Sequence, residues 1–169
     1  MTQNDTLILR VALARKKSIY RDIEIEASES LYALAEAIVA AFGFDFDHAF
    51  GFYSNVAPSK MLCANPRYEL FADMGEADPG VLSVKKTKMA RAFPAVGHTM
   101  IFLFDYGDEW LFNASVKGQG KKEARERYPR VIAAKSEAPP QYPDPDEDDS
   151  EGPTWGMNPL TGEKIFFKK

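Results

Sequence analysis

The most informative segment of the chain is Phe102-Leu103-Phe104-Asp105-Tyr106-Gly107-Asp108-Glu109-Trp110, where an apolar run meets a tight acidic turn and resumes at a tryptophan. The run that leads into the turn, Thr99–Asp105, has Met100, Phe102 and Phe104 on one face and Ile101 and Leu103 on the other, which is typical of a strand inside a sheet. After the turn, apolar and polar residues alternate, as in a strand with one face on a core. The short connection predicts an antiparallel hairpin, with Gly107 supplying any positive φ.

A second hairpin and a helix are predicted upstream of this stretch. Residues 7–13 and 19–26 alternate apolar and polar side chains on either side of a basic turn, which predicts two paired strands. Residues 31–42 repeat apolar side chains at three- and four-residue spacing, which predicts a helix. Ser30 is suited to cap its start, and Gly43 fits the left-handed position that ends it.

The remaining segments carry weaker signals. An aromatic strand is predicted to begin at His48, followed by an irregular surface stretch from Asn55 to Gly80. Thr87 is predicted to cap a brief helix. Residues 130–135 fit either a last strand or a loop, and the prolines and acids of 139–153 predict a solvated linker.

These elements predict one α+β domain. We expect a mixed, mostly antiparallel sheet packed against one main helix plus short helices, spanning residues 1–138. An acidic, proline-rich linker then covers residues 139–153, and a short apolar and basic motif covers residues 154–169.

Composition and charge narrow the class of protein. The chain is 45% hydrophobic and 27% charged, as in ordinary globular domains. Its net charge of −4 comes from the C-terminal region, since residues 1–142 hold 18 basic and 18 acidic side chains. A neutral body does not favour nucleic-acid binding. The single cysteine, Cys63, and the polar N-terminus predict a cytoplasmic protein without a membrane span.

The acidic turn is the strongest candidate for chemistry. Asp105 and Asp108 flank a glycine, so they could bind a divalent cation or share acid and base roles in a ligand cleft with His48 and Trp110. Aspartates also shape turns by bonding backbone amides, and tryptophan after a turn commonly lies in the core; we favour these structural readings. His48, His98 and Cys63 lack the paired spacing of a zinc site, so no metal or other cofactor is predicted.

Two basic segments could form a weak nucleic-acid patch, although such runs are usually solvated faces. The candidate residues are Lys85, Lys86, Lys88, Arg91, Lys121, Lys122 and Arg125.

The C-terminal motif is a candidate partner-binding tail. Its large apolar residues, which are unusual after a solvated tether, are Trp155, Ile165, Phe166 and Phe167. We expect the tail to dock on its own domain; addition to a partner's sheet edge is the alternative. The segment 158–165 is also similar to the tip of the DNA-binding arm of bacterial histone-like proteins.

Several of these motifs occur in one order that resembles the plasmid pRi ORF-three-like family, some members of which are passengers of insertion elements. The resemblance covers roughly residues 6–142. It is carried by Ile19-Tyr20-Arg21, Gly43-Phe44-Asp45, Phe104-Asp105-Tyr106-Gly107-Asp108-x-Trp110, Tyr128-Pro129-Arg130 and Pro139-Pro140. It implies an α+β fold and no established activity. Family members usually carry a histidine where this chain has Phe112, and a histidine pair where it keeps only His48.

The leading functional hypothesis is therefore a non-enzymatic binding or interaction module, linked to plasmid or mobile-element genes. The first alternative is a metal-dependent or hydrolytic enzyme that uses Asp105 and Asp108 with His48. The second is a weak nucleic-acid binder.

Overall fold

The computed structural model describes residues 5–142 and the backbone of two short strands at 155–157 and 164–166. The elements in chain order are β1 (Asp5–Leu13), β2 (Lys16–Glu26), α1 (Leu31–Ala41), β3 (Phe50–Tyr53), a 3-10 helix (Pro58–Cys63), β4 (Arg67–Glu69), α2 (Leu70–Met74), β5 (Leu82–Ser83), α3 (Met89–Ala92), β6 (Thr99–Phe104), β7 (Trp110–Lys121), β8 (Arg130–Lys135), β9 (Trp155–Met157) and β10 (Lys164–Phe166).

Eight strands form one mixed sheet in the order β5-β4-β3-β6-β7-β1-β2-β8. Its neighbouring strands are antiparallel except for β4 and β5, which run parallel. The predicted hairpins are confirmed, because β1 pairs with β2 and β6 with β7. The sheet dominates, and α1 is only the longest of several short helices, so the expectation of one main helix is not met. An α+β class fits this mixed sheet with a few short helices.

The predicted limits of α1 are confirmed by its caps. The hydroxyl of Ser30 accepts a hydrogen bond from the backbone N–H of Ala33 at 3.2 Å. At the other end, Gly43 has a φ of +73° and its N–H donates to the carbonyl of Ala40 at 3.0 Å. This left-handed residue satisfies a carbonyl that the ending helix leaves without an intrahelical donor.

The two faces of the sheet have different surroundings. We call the side packed on α1 the core face; its buried residues include Phe102, Phe104 and Phe112. We call the other side the open face. There Ile101, Leu103 and Leu111 are buried in a smaller cluster with Met61 of the 3-10 helix. As predicted, β6 is therefore apolar on both faces.

Two predictions for the middle of the chain are wrong. The stretch from Asn55 to Gly80 contains the 3-10 helix, β4 and α2, and Tyr68 of β4 is buried in the core. β4 is too short to show periodicity and is held by pairing with β3. Thr87 does not cap α3, because its hydroxyl donates to the carbonyl of Ser83 at 2.6 Å and the N-cap residue is Lys88.

The C-terminal part of the described body begins as the edge strand of the sheet and ends beside the segment between α1 and β3. Residues 130–135, predicted as a strand or a loop, form β8, which pairs with β2. Gln141 is buried, and its side-chain carbonyl accepts from the backbone N–H of Asp45 at 2.7 Å. Most of the predicted linker lies outside the described residues. None of the described helices has the length and apolar character needed to cross a bilayer.

Candidate functional site

The acidic corner between β6 and β7 is shaped by Asp105. One carboxylate oxygen, Oδ1, accepts from the backbone N–H of Gly107 at 3.0 Å and of Asp108 at 3.2 Å. The positive φ angles of the turn belong to Asp105 (65°) and Glu109 (54°), so the expectation for Gly107 is wrong. Aspartate tolerates this region because its side chain bonds nearby backbone. A Cβ at position 107 would lie 3.3 Å from Asp105 Oδ1, so the glycine leaves room for that carboxylate.

His48 lies between two carboxylates beside this corner. Its Nε2 is 3.5 Å from Asp105 Oδ2, and its Nδ1 is 2.6 Å from Asp47 Oδ1. The Tyr142 hydroxyl donates to the other Asp47 oxygen at 3.0 Å. The hydrogen bond with Asp47 raises the pKa of His48, burial opposes the rise, and the charges of Asp105 and Asp108 add to it. The arrangement favours an imidazolium ion at this corner.

The structure therefore separates the predicted ligand cleft into two places. His48 and Asp105 are adjacent, and Asp108 acts on His48 only through its charge. Trp110 is buried on the core face, with its ring 4.7 Å from that of Phe44 between centroids. Among the described residues, no group of three His, Cys, Asp or Glu side chains is placed to hold a metal ion.

Arg15 lies over the outer side of Trp110, with its guanidinium carbon 4.4 Å from the ring centroid. Burial lowers the pKa of Arg15. Within the described part of the chain, Arg15 Nε and Trp110 Nε1 are both buried without a hydrogen-bond partner. The contact is thus a cation over an aromatic face, which covers the edge of the core.

Three of the seven basic candidates have neighbouring groups that reduce their availability. Lys121 pairs with Asp5, and Lys122 lies 3.0 Å from Glu26. Lys85 lies over the Tyr32 ring at 5.1 Å. The other members of the set, which have no ion pair within residues 5–142, are Lys86, Lys88, Arg91 and Arg125.

The C-terminal tail forms a two-stranded sheet. The register of β9 and β10 places Trp155 opposite Phe166 and Gly156 opposite Ile165. Phe167 lies outside the described residues, as do the side chains of the other three. Docking of this tail on its own domain stays a prediction.

One surface was not predicted from the sequence. In the described part of the chain, β8 pairs only with β2, so its other edge is free. Val131 and Ile132 on this strand are 48% and 45% exposed. Beside the strand is a mostly apolar groove of about 410 Å³. It is lined by Ile23, Ala33, Glu36, Ala37, Ala40, Ala41, Pro129, Arg130 and Val131.

Comparison with known proteins agrees with the motif order described above. The family model described as plasmid pRiA4b ORF-3-like protein matches residues 5–144. This chain belongs to that family. A crystal structure described as a protein of unknown function, MM3350 from Methanosarcina mazei Go1, is similar in fold, with 20% identity and a TM-score of 0.66. The match covers 83% of this chain and 74% of that one. No match was found among curated proteins.

The structure shows the surroundings of Phe112 and His48, the two positions at which this chain departs from the family pattern. Phe112 is fully buried, and its ring lies 4.8 Å from Phe42 and 5.8 Å from Phe102 between centroids. An aromatic ring there adds to the core. His48 contacts carboxylates and lies edge-on to the Phe104 ring at 6.0 Å, with no second histidine in these contacts.

Proposed function

We propose that this protein is a non-enzymatic interaction module that binds an extended peptide strand at the free edge of β8. The observation that carries the proposal is the six-residue strand itself, which exposes Val131 and Ile132 and pairs on one side only among the described strands. A free edge offers unpaired backbone N–H and C=O groups in a row, and an added strand satisfies them.

The apolar groove supports this choice because it continues the same surface. Val131 is in register with Ile23, and both line the groove against the outer side of α1. Pro129 closes the groove next to the strand. A strand added to β8 would have every second side chain on this side of the sheet, over the groove. The backbone would provide affinity, and the groove would select apolar side chains.

The charge around β8 indicates the chemistry of the partner. Residues 121–135 hold six basic and two acidic side chains. Arg130 is engaged by Glu24 and Glu126, whereas Lys135 is exposed without an ion pair in the described body. We therefore propose an occupant with an apolar centre and acidic ends.

A second copy of this chain fits the edge less well. In a symmetric antiparallel pair of β8 strands centred between Ile132 and Ala133, Arg130 of each copy would face Lys135 of the other. Like charges directly opposite each other destabilise a strand pair. This charge pattern favours a different, acidic strand.

The enzymatic alternative is less favoured because Asp105, its best candidate for a catalytic group, already has a structural role at the acidic corner. One oxygen of Asp105 shapes the turn, and the other faces His48. The nucleic-acid alternative is less favoured because Lys121 and Lys122 pair with carboxylates. We also propose that the protein is cytoplasmic, that it is linked to plasmid or mobile-element genes, and that its C-terminal tail binds a partner.

The test uses a short synthetic peptide, Asp-Val-Thr-Val-Thr-Val-Asp, added to the ¹⁵N-labelled full chain. We expect backbone amide shifts in β8 and in the groove, and weaker binding as salt increases. A peptide with lysine at both ends should bind at least about tenfold more weakly, equivalent to about 1.4 kcal/mol. A peptide with N-methylated central residues should not bind, because it cannot pair.

Two matched variants locate the effect. Val131→Asp places an acid on the docking edge and should abolish the peptide-induced shifts. Val96→Asp changes a residue that is 57% exposed elsewhere and should leave them unchanged. The proposal fails if the peptide changes the amide shifts of other surfaces instead, or if Val131→Asp leaves the peptide-induced shifts unchanged. It also fails if the chain dimerises through β8 without peptide.

A further inference from the structure

A polar groove lies in the middle of the open face, on the opposite side of the sheet from the groove beside β8. On β6 and β7 the open-face residues are apolar where they pack with Met61 of the 3-10 helix, and polar beyond it. Along β7 the open-face residues change from Leu111, which is buried, to Asn113 and Ser115, which are partly exposed. Along β6 the same change leads from Ile101 to Thr99. Packing alone does not explain why these central strands carry polar side chains that no other element covers.

The groove has a volume of about 500 Å³, within the usual range for small-molecule sites. Its lining consists of Arg10, Ala12, Lys17, Val56, Thr99, Asn113, Ser115 and Lys117. Three of these residues are cationic and none is acidic. The groove is therefore suited to an anionic molecule.

Two of the cations are available for a ligand. Lys17 and Lys117 are exposed, and neither has an ion-pair partner among residues 5–142. Arg10 is different: its Nε and Nη2 donate to both oxygens of Asp22 at 2.9 and 3.0 Å. Its guanidinium carbon also lies 3.8 Å from the centroid of the Tyr20 ring. Arg10 thus forms a fixed wall, and the lysines provide the uncompensated charge.

The floor of the groove offers groups that bind hydroxyls. Ser115 and Thr99 hydroxyl oxygens lie 2.7 Å apart, and Thr99 also donates to the carbonyl of Gly97 at 3.3 Å. With Thr99 donating to Gly97, Ser115 donates to Thr99 and keeps acceptor positions for a ligand. The side-chain amide of Asn113 has no partner in the described structure, so it can donate and accept.

We propose that this groove binds a small phosphomonoester with a hydroxyl-bearing body, such as a sugar phosphate. The two lysines hold the phosphate, while Asn113 and Ser115 bind hydroxyl groups of the body. This inference does not rest on strand binding at β8, because no residue lines both grooves.

Ribose 5-phosphate, ribose and inorganic phosphate are the probes, titrated into the ¹⁵N-labelled full chain. We expect ribose 5-phosphate to bind at least about tenfold more tightly than either fragment and to shift amides of β1, β6 and β7 around the groove. Binding should weaken with salt, since exposed charges are screened. The combined change Lys17→Gln and Lys117→Gln should weaken it at least about tenfold, equivalent to about 1.4 kcal/mol.

Two further variants separate the phosphate and hydroxyl contacts. Asn113→Ala should weaken ribose 5-phosphate binding several-fold and leave phosphate binding unchanged. Lys85→Gln, outside the groove, should change neither. Circular dichroism checks that each variant is folded. The inference is wrong if ribose 5-phosphate binds no better than its fragments, if the double lysine variant binds normally, or if a single-stranded oligonucleotide binds more tightly and shifts residues well beyond the groove.

Discussion

The core face and the open face of the sheet are built from the same strands but differ in the polarity and burial of their side chains. In β7, Phe112 is fully buried on the core face, while its neighbour Asn113 is partly exposed on the open face. The buried residues of the core face are mainly apolar, with Arg21 as a charged exception, so this face stabilises the fold. On β6 and β7 the open face is apolar where it packs with the 3-10 helix and polar beyond it. The difference indicates that the contacts that stabilise the fold are concentrated on one side of the sheet.

Removing an aromatic ring from the core face should destabilise the protein most. Phe112→Ala removes a ring that packs on Phe42 and Phe102, and should lower the free energy of unfolding by about 3–5 kcal/mol. Asn113→Ala, one position along, should change it by no more than about 0.5 kcal/mol. Urea unfolding of both variants measures the contrast between the faces. Comparable losses of unfolding free energy in the two variants would contradict this difference between the core face and the open face.

A charged residue on the core face gives the next effect. The buried Arg21 donates from Nε to the carbonyl of Ala41 at 3.0 Å, and from Nη1 to those of Lys135 at 3.2 Å and Ser136 at 2.9 Å. It thereby ties β8 to the end of α1. Arg21→Met should lower the free energy of unfolding by about 2–3 kcal/mol, because these charged hydrogen bonds are lost.

Arg21→Lys is the matched control, since it keeps the charge and loses the planar fork. It should recover only part of the stability. Amide exchange of residues 130–136 should accelerate in both variants. Unchanged exchange there would show that another contact holds β8 in place.

The covered part of the open face should respond more weakly. Tyr53 is fully buried, and its hydroxyl donates to Glu69 Oε1 at 2.8 Å and lies 2.7 Å from the Tyr106 hydroxyl. Burial raises the pKa of both tyrosines, so both stay protonated. Tyr53→Phe should cost about 1–2 kcal/mol, because the Glu69 carboxylate loses its donor. Tyr106→Phe leaves that donor in place and should cost less in the same urea assay; the reverse order would contradict this reading.

The smallest effect is expected at the acidic corner and depends on pH. The pKa of His48 is raised, so its stabilisation is present below the unfolded value near 6.5 and is lost as pH rises through the folded value. Burial acts to raise the pKa of Asp47, but the contacts with His48 and Tyr142 lower it overall. The stabilisation that Asp47 contributes is therefore lost as pH falls through this lowered pKa. Stability from this pair should therefore be greatest between about pH 4 and 6.5.

Urea unfolding across this range tests the pair. His48→Gln should remove the loss on the alkaline side, and Asp47→Asn should weaken the loss on the acid side. The side chain of His48 is 38% exposed, so both effects should be small and should shrink in high salt. A wild-type profile that matches His48→Gln at every pH would contradict the assignment.

Local patterns predicted those parts of the fold that have local causes. The alternation in β1, β2 and β7, the two-sided apolar character of β6 and the caps of α1 follow from side-chain spacing and backbone preferences. The turn was assigned correctly in place but not in residue: Asp105 takes the positive φ, because its own carboxylate stabilises it.

The elements and surfaces that were missed depend on distant partners. β4 exists because it pairs with β3, and no periodicity marks three residues. The free edge of β8 follows from its place at the end of the strand order, which the sequence of β8 does not contain. The groove on the open face joins residues from positions 10 to 117. The predicted cleft included both His48 and Asp105, whose side chains lie 3.5 Å apart, but Asp47 and Tyr142 join that cluster only in the folded chain.

Amide hydrogen exchange of β8 shows whether this edge is free and whether it takes up a peptide strand. In the full chain alone, the β8 amides that do not donate to β2 should exchange rapidly, because they lie at a free edge. In the presence of the acidic valine–threonine peptide, the same amides should become protected, while those of β5 at the opposite edge stay unchanged. Protection of all β8 amides before any peptide is added, or no gain in protection with it, would contradict the account.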